Sequence, residues 1–260
     1  MNLEAHDVAF AYSRDEQVLK SVTASIEPGS FLAILGVNGC GKSTLLDCLD
    51  GMLSPQHGCI RLGGADLKGI DRRSRARSIS YVAQRNNAAR LIVYDALLLG
   101  RKPFIKAGPT EEDFAIVDGV ISDMGLDDLA FRYVDELSGG EYQKIAIGRA
   151  LVQCRDVLLL DEPTNNLDIA NRIEVMALIR RTVDTRSIAA AAVMHDINLA
   201  LAYCDRFLAL EHGEPVACGG PDVVNEDLLQ TVYGIDADIV EWHGKRIVVP
   251  YGRHEKRRTS

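Results

Sequence analysis

The stretch Gly36-Val37-Asn38-Gly39-Cys40-Gly41-Lys42-Ser43-Thr44 satisfies G-x-x-x-x-G-K-[ST] at every fixed position, and it constrains the fold more than any other part of the chain. The pattern works only between a strand and a helix. Both are written around it: Phe31-Leu32-Ala33-Ile34-Leu35 reads as a buried strand, and Leu45-Leu46-Asp47-Cys48-Leu49 as the helix that follows. Glycines at 36, 39 and 41 let the backbone curl with its N–H groups inward, and the helix N-terminus adds partial positive charge. Such a loop cradles phosphates, with Lys42 reaching the outer ones and the Ser43 hydroxyl holding Mg²⁺. A glycine-rich turn without a ligand would need neither side chain.

A chain of 260 residues, 47% hydrophobic, can bury a substantial core around this loop as one large domain or as a domain with an inserted subdomain. The net charge of −8 argues against a partner recognised through its phosphate backbone, so no nucleic acid is expected. The one dense basic cluster, Arg253 to Arg258, reads as a solvated tail. The six cysteines show neither C-x-x-C pairs nor metal-ligand spacing and read as reduced thiols of a cytosolic protein. Cys40, inside the loop and near Lys42, sits in a setting that favours thiolate. The N-terminus carries acids where a secretion signal carries bases, and no apolar run approaches the ~20 residues of a membrane span. A soluble chain is expected, with any membrane role exercised through a partner.

In chain order, Asp7 to Tyr12 and Val22 to Glu27 read as strands of an antiparallel layer, and Pro28-Gly29 turns into the loop strand. Tyr12 is placed where an aromatic ring could stack on a purine. Gly58 to Gly64 suggests a strand and turn, and Ile79 to Ala83 a strand ending on Gln84. From about 86 to 154 the pattern is helical. Thr110 caps a segment with Phe114, Val117, Ile121 and Met124 at spacings of three and four, which stops at Gly125. Leu137-Ser138-Gly139-Gly140-Glu141 then opens a second helix. Ser138 and Glu141 have capping-box spacing, whereas Gly139 and Gly140 weaken a helix start and suit an anion approaching bare N–H groups.

Val157 to Leu160 is a buried strand running into Asp161-Glu162, adjacent carboxylates that are costly at such a strand end without a cation. In a parallel sheet the strand ends share one edge with the loop, so Asp161 can bind the same Mg²⁺ while Glu162 faces a water beside the γ-phosphate. A helix carrying Ile173, Met176, Ile179 and Val183 follows. A further strand, Ser187 to Met194, ends on His195, at the same edge. A short helix around Leu228 and a hairpin over Ile239 to Pro250, turning at His243-Gly244, close the chain without a chemical signature of their own.

The set Gly36–Thr44, Gln84, Leu137–Glu141, Val157–Glu162, Asn165–Asp168 and His195, in this order, resembles the nucleotide-binding subunit of ABC transporters over essentially the whole chain. That resemblance implies an α/β fold: a RecA-like P-loop NTPase core with an antiparallel β-subdomain and an inserted helical signature subdomain. The ATPase domain would span 1–220, with the helical part at about 86–154, and 221–260 would form a C-terminal extension with helix, hairpin and basic tail. It implies ATP and Mg²⁺ as ligands and a head-to-tail homodimer, or a paired ATPase subunit, sandwiching two ATP molecules.

Residue by residue, the resemblance implies that Tyr12 stacks on adenine and that Gly36, Asn38, Gly39, Cys40, Gly41, Lys42, Ser43 and Thr44 wrap the phosphates. Ser43, Gln84 and Asp161 would serve the metal and its water shell, Glu162 would be the general base, and His195 would contact the γ-phosphate. Ser138, Gly139, Gly140 and Glu141 would come from the opposite subunit, with Asp168 across the seam. Val37 replaces a common proline and Glu141 a common glutamine; neither disturbs backbone amides or the capping box.

Gly100-Arg101-Lys102-Pro103-Phe104, His195 to Ala200 with Tyr203-Cys204-Asp205-Arg206, and Tyr233-Gly234-Ile235 are similar to importers of iron–siderophore, haem or cobalamin; importers of metal oxyanions such as molybdate share much of this. The expected partners are an integral-membrane permease, docked near Gln84 and Asn86 to Gly100, and, indirectly, a periplasmic or lipoprotein substrate-binding protein. The chain would sit on the cytoplasmic, inner face of the cell membrane. Two other functions fit a phosphate loop. A soluble ABC ATPase of ribosomes, iron–sulfur assembly or DNA usually carries a second module or long coiled coils, and a P-loop kinase would leave Leu137–Glu141 without a role.

Overall fold

The computed structural model describes residues 1–13, 16–83, 90–165 and 167–253. Gln84, the start of the expected docking surface, Asn166 and the basic tail beyond Arg253 lie outside the described residues. Leu3–Ser13 (β1) and Glu16–Ile26 (β2) pair antiparallel, each longer than its alternation suggested. In β2, Val22, Ala24 and Ile26 are buried while Ser21, Thr23 and Ser25 face out, the period of a half-buried strand. Phe31–Leu35 (β3) leads through the loop into Lys42–Asp50 (α1). His57–Leu62 (β4) and Ala65–Asp66 (β5) complete a four-stranded sheet in the order β2-β1-β4-β5.

Arg72–Ser78 (α2) and Ile79–Val82 (β6) precede a helical arm of Val93–Leu98 (α3), Glu111–Asp123 (α4) and Gly139–Gln153 (α5). The chain returns as Val157–Asp161 (β7), Ile169–Arg186 (α6), Ala189–Val193 (β8), Ile197–Tyr203 (α7), Arg206–Glu211 (β9) and Glu214–Gly219 (β10). Glu226–Leu228 (α8) runs into a π-turn over Leu229–Tyr233, and Ile235–Trp242 (β11) pairs with Lys245–Arg253 (β12) about a turn at His243-Gly244.

The central six-stranded sheet has the order β10-β9-β3-β8-β7-β6, all neighbours parallel except β10 on β9. Every residue of β3, β7 and β8 is buried, as expected for a parallel sheet covered on both faces. Successive residues point to opposite cores. Ala33, Leu35, Leu158 and Leu160 pack with the arm and α6, whereas Leu32, Ile34, Val157 and Leu159 pack with α1 and the antiparallel sheet. Four of the five residues of β8 are alanine, a poor strand former, so its neighbours rather than its own propensity hold it extended.

The arm explains the Gly100–Phe104 motif. Arg101 is buried; its guanidinium donates to Asp113 at 2.8 Å and to the Val152 carbonyl at 3.1 Å, and lies 4.0 Å from the centroid of the Phe104 ring. Asp113 accepts in turn from Thr110, closing the capping box of α4, and the Arg101 hydrogen bond holds its carboxyl well below the usual carboxylate range. A side chain at Gly100 would run into the Arg149 carbonyl of α5, so only glycine permits this approach. Val117, Ile121 and Met124 are buried as the spacing predicts, but Phe114, one turn after the cap, lies 38% exposed.

Candidate nucleotide site

Because β3, β8 and β7 are adjacent and parallel, their C-terminal ends meet at one edge, with the His195 strand between the loop strand and the carboxylate strand. A cleft of about 730 Å³ opens there. The loop side contributes Tyr12, Asn38, Gly39, Gly41, Lys42, Ser43 and Thr44; the strand ends contribute Glu162, Asn165 and His195. Glu16 and Val18 of β2 also line it, a contribution with no motif to announce it.

Gly41, in the left-handed conformation at φ 104, starts α1, and no side chain caps that helix. By contrast α2, α4, α5, α6 and α7 are each capped by Asp, Thr or Ser. The first-turn N–H groups of α1 are thus left for an anion. Lys42 is buried and donates to the carbonyls of Gly36 and Val37, 2.8 Å each, which holds its ammonium inside the loop. The Tyr12 hydroxyl is 3.2 Å from Thr44 Oγ1, while its ring, edge-on to Phe10, stays 58% exposed at the cleft.

Ser43 Oγ donates to Asp161 at 3.1 Å. Asp161 is buried, and desolvation raises its pKa, only partly offset by that hydrogen bond. A carboxylate disfavoured by burial beside a hydroxyl is what a hard cation would relieve, so the pair suits Mg²⁺, which takes one or two protein ligands plus phosphate oxygens and waters. Glu162 takes φ 52, uncommon outside glycine, and breaks the chain direction directly after β7. Its carboxylate meets His195 Nε2 at 2.5 Å through Oε1 and accepts from Asn165 Nδ2 at 2.9 Å through Oε2.

Among the described residues, the remaining expected ones do not line the cleft. Gly36 and Cys40 lie beneath the loop, where a Cβ on Gly36 would strike the Cys40 sulfur and the Leu210 carbonyl. Cys40 is buried, and burial pushes its thiol up despite Lys42, which corrects the expectation of a thiolate. Ser138 and Glu141 form the reciprocal box at the start of α5, and Asp168 caps α6 by accepting from the Asn171 N–H at 2.8 Å. A Cβ on Gly139 would meet nothing, and one on Gly140 only ordinary contacts, so packing within the chain asks for neither glycine.

Sequence comparison matches the ABC transporter family over residues 19–165, more than half of the chain. The chain belongs to that family. An ABC transporter ATP-binding protein of Methanocaldococcus jannaschii, MJ0089, is 45% identical, covering 97% of this chain and 99% of that protein. The petrobactin import ATP-binding protein YclP of Bacillus subtilis is 32% identical over 95% of this chain and 98% of its own. Among solved structures, an inward-facing ABC transporter assigned to the metal-chelate type superposes with a TM-score of 0.83 at 26% identity, covering 97% of this chain and 98% of that one. This ABC subunit therefore has the RecA-like P-loop core of its family, binds ATP and is an ATPase. Among the described residues no helix is long and apolar enough to cross a membrane.

Proposed function

We propose that this chain is the ATP-hydrolysing subunit of an importer for a metal chelate of the iron–siderophore, haem or cobalamin type, acting through a separate membrane permease on whose inner face it sits. The observation that carries this reading is the likeness to an import ATP-binding protein over 95% of the chain. A groove of about 300 Å³ beside α3, lined by Leu98, Leu99, Ile105 and Pro109 with Asp95 and Lys102 at its border, supports permease docking on the arm. In this reading substrate choice belongs to the permease and its binding protein.

In the ATPase step Tyr12 stacks on adenine and the uncapped start of α1 takes the phosphates. Lys42 leaves the Gly36 and Val37 carbonyls for the outer phosphates. Ser43 and Asp161 would hold Mg²⁺, which would supply positive charge against the phosphate oxygens. Glu162 acts as general base, its carboxylate steered by Asn165 and His195, and His195 turns to the γ-phosphate. Ser138, Gly139, Gly140 and Glu141 close the site from a second subunit arranged head to tail, with Asp168 at the seam; Gly139, with open space where a Cβ would sit, suits a ligand brought from outside.

The test is affinity purification from native membranes, identification of the copurifying permease, and ATPase assays with candidate binding proteins loaded with siderophore, haem or cobalamin. Stimulation by one loaded binding protein is expected. Recovery of ribosomal or iron–sulfur assembly proteins, with no permease, would transfer the chain to the soluble ATPases.

A further inference from the structure

The C-terminal segment, which carries no chemical motif, is tied at one point to the phosphate loop and at another to α7, the helix that follows His195. At the first, the Tyr233 hydroxyl accepts the Gly36 N–H at 3.0 Å. Tyr233 ends the π-turn, is stopped by Gly234 in the left-handed conformation, and is buried enough for its phenol to be pushed up to about 12. At the second, the side-chain amide of Asn198 pairs with both backbone groups of Val248 in β12: its Nδ2 donates to the Val248 carbonyl at 3.0 Å, and its Oδ1 accepts the Val248 N–H at 2.7 Å. Asn198 stands in the first turn of α7, directly after His195-Asp196. Around these two ties Leu228, Leu229, Val232, Ala237 and Val248 are buried in the same core as α5 and α6, so the segment is anchored rather than hanging.

We propose that this segment is a strap that holds the phosphate loop and the His195 helix in fixed relation, with Tyr233 and Asn198 as positioning residues for ATP hydrolysis. Gly36 is held at both of its backbone groups, its carbonyl by Lys42 and its N–H by Tyr233. Before ATP binds, either grip keeps the loop mouth in place. Once Lys42 moves to the phosphates, Gly36 loses the lysine but keeps Tyr233, so the Tyr233 hydrogen bond matters more in the bound state than in the free one. A contact whose worth differs between two states shifts the binding equilibrium between them. Asn198 acts differently. It fixes the start of α7, and with it the placement of His195 against Glu162, so it bears on turnover rather than on binding.

The inference rests on the nucleotide-site reading, and the controls separate the two. Tyr233→Phe deletes one oxygen and strands a buried N–H, an effect of roughly 5- to 150-fold when expressed in one state only. ATP KM should rise about tenfold, with kcat within threefold of wild type. Asn198→Leu should lower kcat about tenfold and leave KM unchanged; Asn198→Asp, which keeps the acceptor for Val248, should recover part of the loss. Lys42→Ala is the control for the site itself: if it binds ATP like the wild type, the site reading fails. If it loses ATP while folded Tyr233→Phe and Asn198→Leu keep wild-type KM and kcat, the strap fails. Should Tyr233→Phe not fold, amide hydrogen exchange of Gly36 in the wild-type protein decides. Protection that persists with ATP bound is expected, and exchange at the rate of an open amide in either state overturns the proposal.

Discussion

Glu162 is where binding and chemistry can be separated by a single atom exchange. Glu162→Gln keeps the size of the side chain and its contacts with His195 and Asn165 while removing a general base worth roughly 10²–10⁴ in rate, so hydrolysis should collapse and ATP binding survive. Near-normal turnover would remove Glu162 from that role. Cys40 was legible as a loop residue but not as a buried one, because the core it joins includes Leu208 and Leu210 from far along the chain. Thiol reactivity follows exposure and thiolate character, so maleimide should modify exposed Cys218 first and leave ATPase activity intact; peptide mass spectrometry of partly labelled protein reads this out, and early labelling of Cys40 would contradict it. Asp50 supplies a pH test. Desolvation raises its pKa to about 6, partly opposed by Arg75. A raised carboxyl gives stability that is complete below its unfolded value near 4 and is lost as pH climbs through 6. Asp50→Asn should therefore match wild type at pH 4 and gain up to about 3 kcal/mol on it by pH 7 in urea unfolding; equal gains at both pH values would refute the cause.

The helices of the arm show what can be read locally. Both ends of α4 were written in sequence, Thr110 as cap and Gly125 as stop, since caps and left-handed glycines act within a turn. Its partner was not legible. The pairing of Arg101 with Asp113 joins the segment after α3 to α4, and nothing in either stretch says which acid the arginine meets. Phe114 and, in α6, Ile173 carry helical spacing yet are exposed, because periodicity names a face but not its edges. Breaking a buried pair leaves a charge without compensation, so Arg101→Met should cost about 3 kcal/mol. In that variant Asp113 keeps its Thr110 hydrogen bonds but loses the main cause of its lowered pKa. The double change Arg101→Met with Asp113→Asn should recover part of the loss; no recovery would mean that Arg101 acts mainly through Phe104 and Val152.

For the whole molecule, the proposed sandwich makes a prediction about assembly. A neutral amide at 162 relieves repulsion beside the γ-phosphate, so Glu162→Gln should form a dimer with ATP and fall apart with ADP in size exclusion with light scattering. A monomer at saturating MgATP would oppose the head-to-tail arrangement. The strand–loop–helix frame of the phosphate loop was legible beforehand because its glycines act through backbone geometry that neighbouring residues set, and the buried strand of Val157 to Leu160 and the box of Ser138 and Glu141 were legible for the same local reason. Which strand lies beside which was decided only on folding. The order that puts His195 between the loop and Glu162, the entry of Val18 into the cleft, and the reach of Tyr233 to Gly36 all join residues far apart in the chain. Sequence patterns record the period and the caps of an element, whereas such contacts depend on sheet order and on the packing of both cores, which no local stretch encodes.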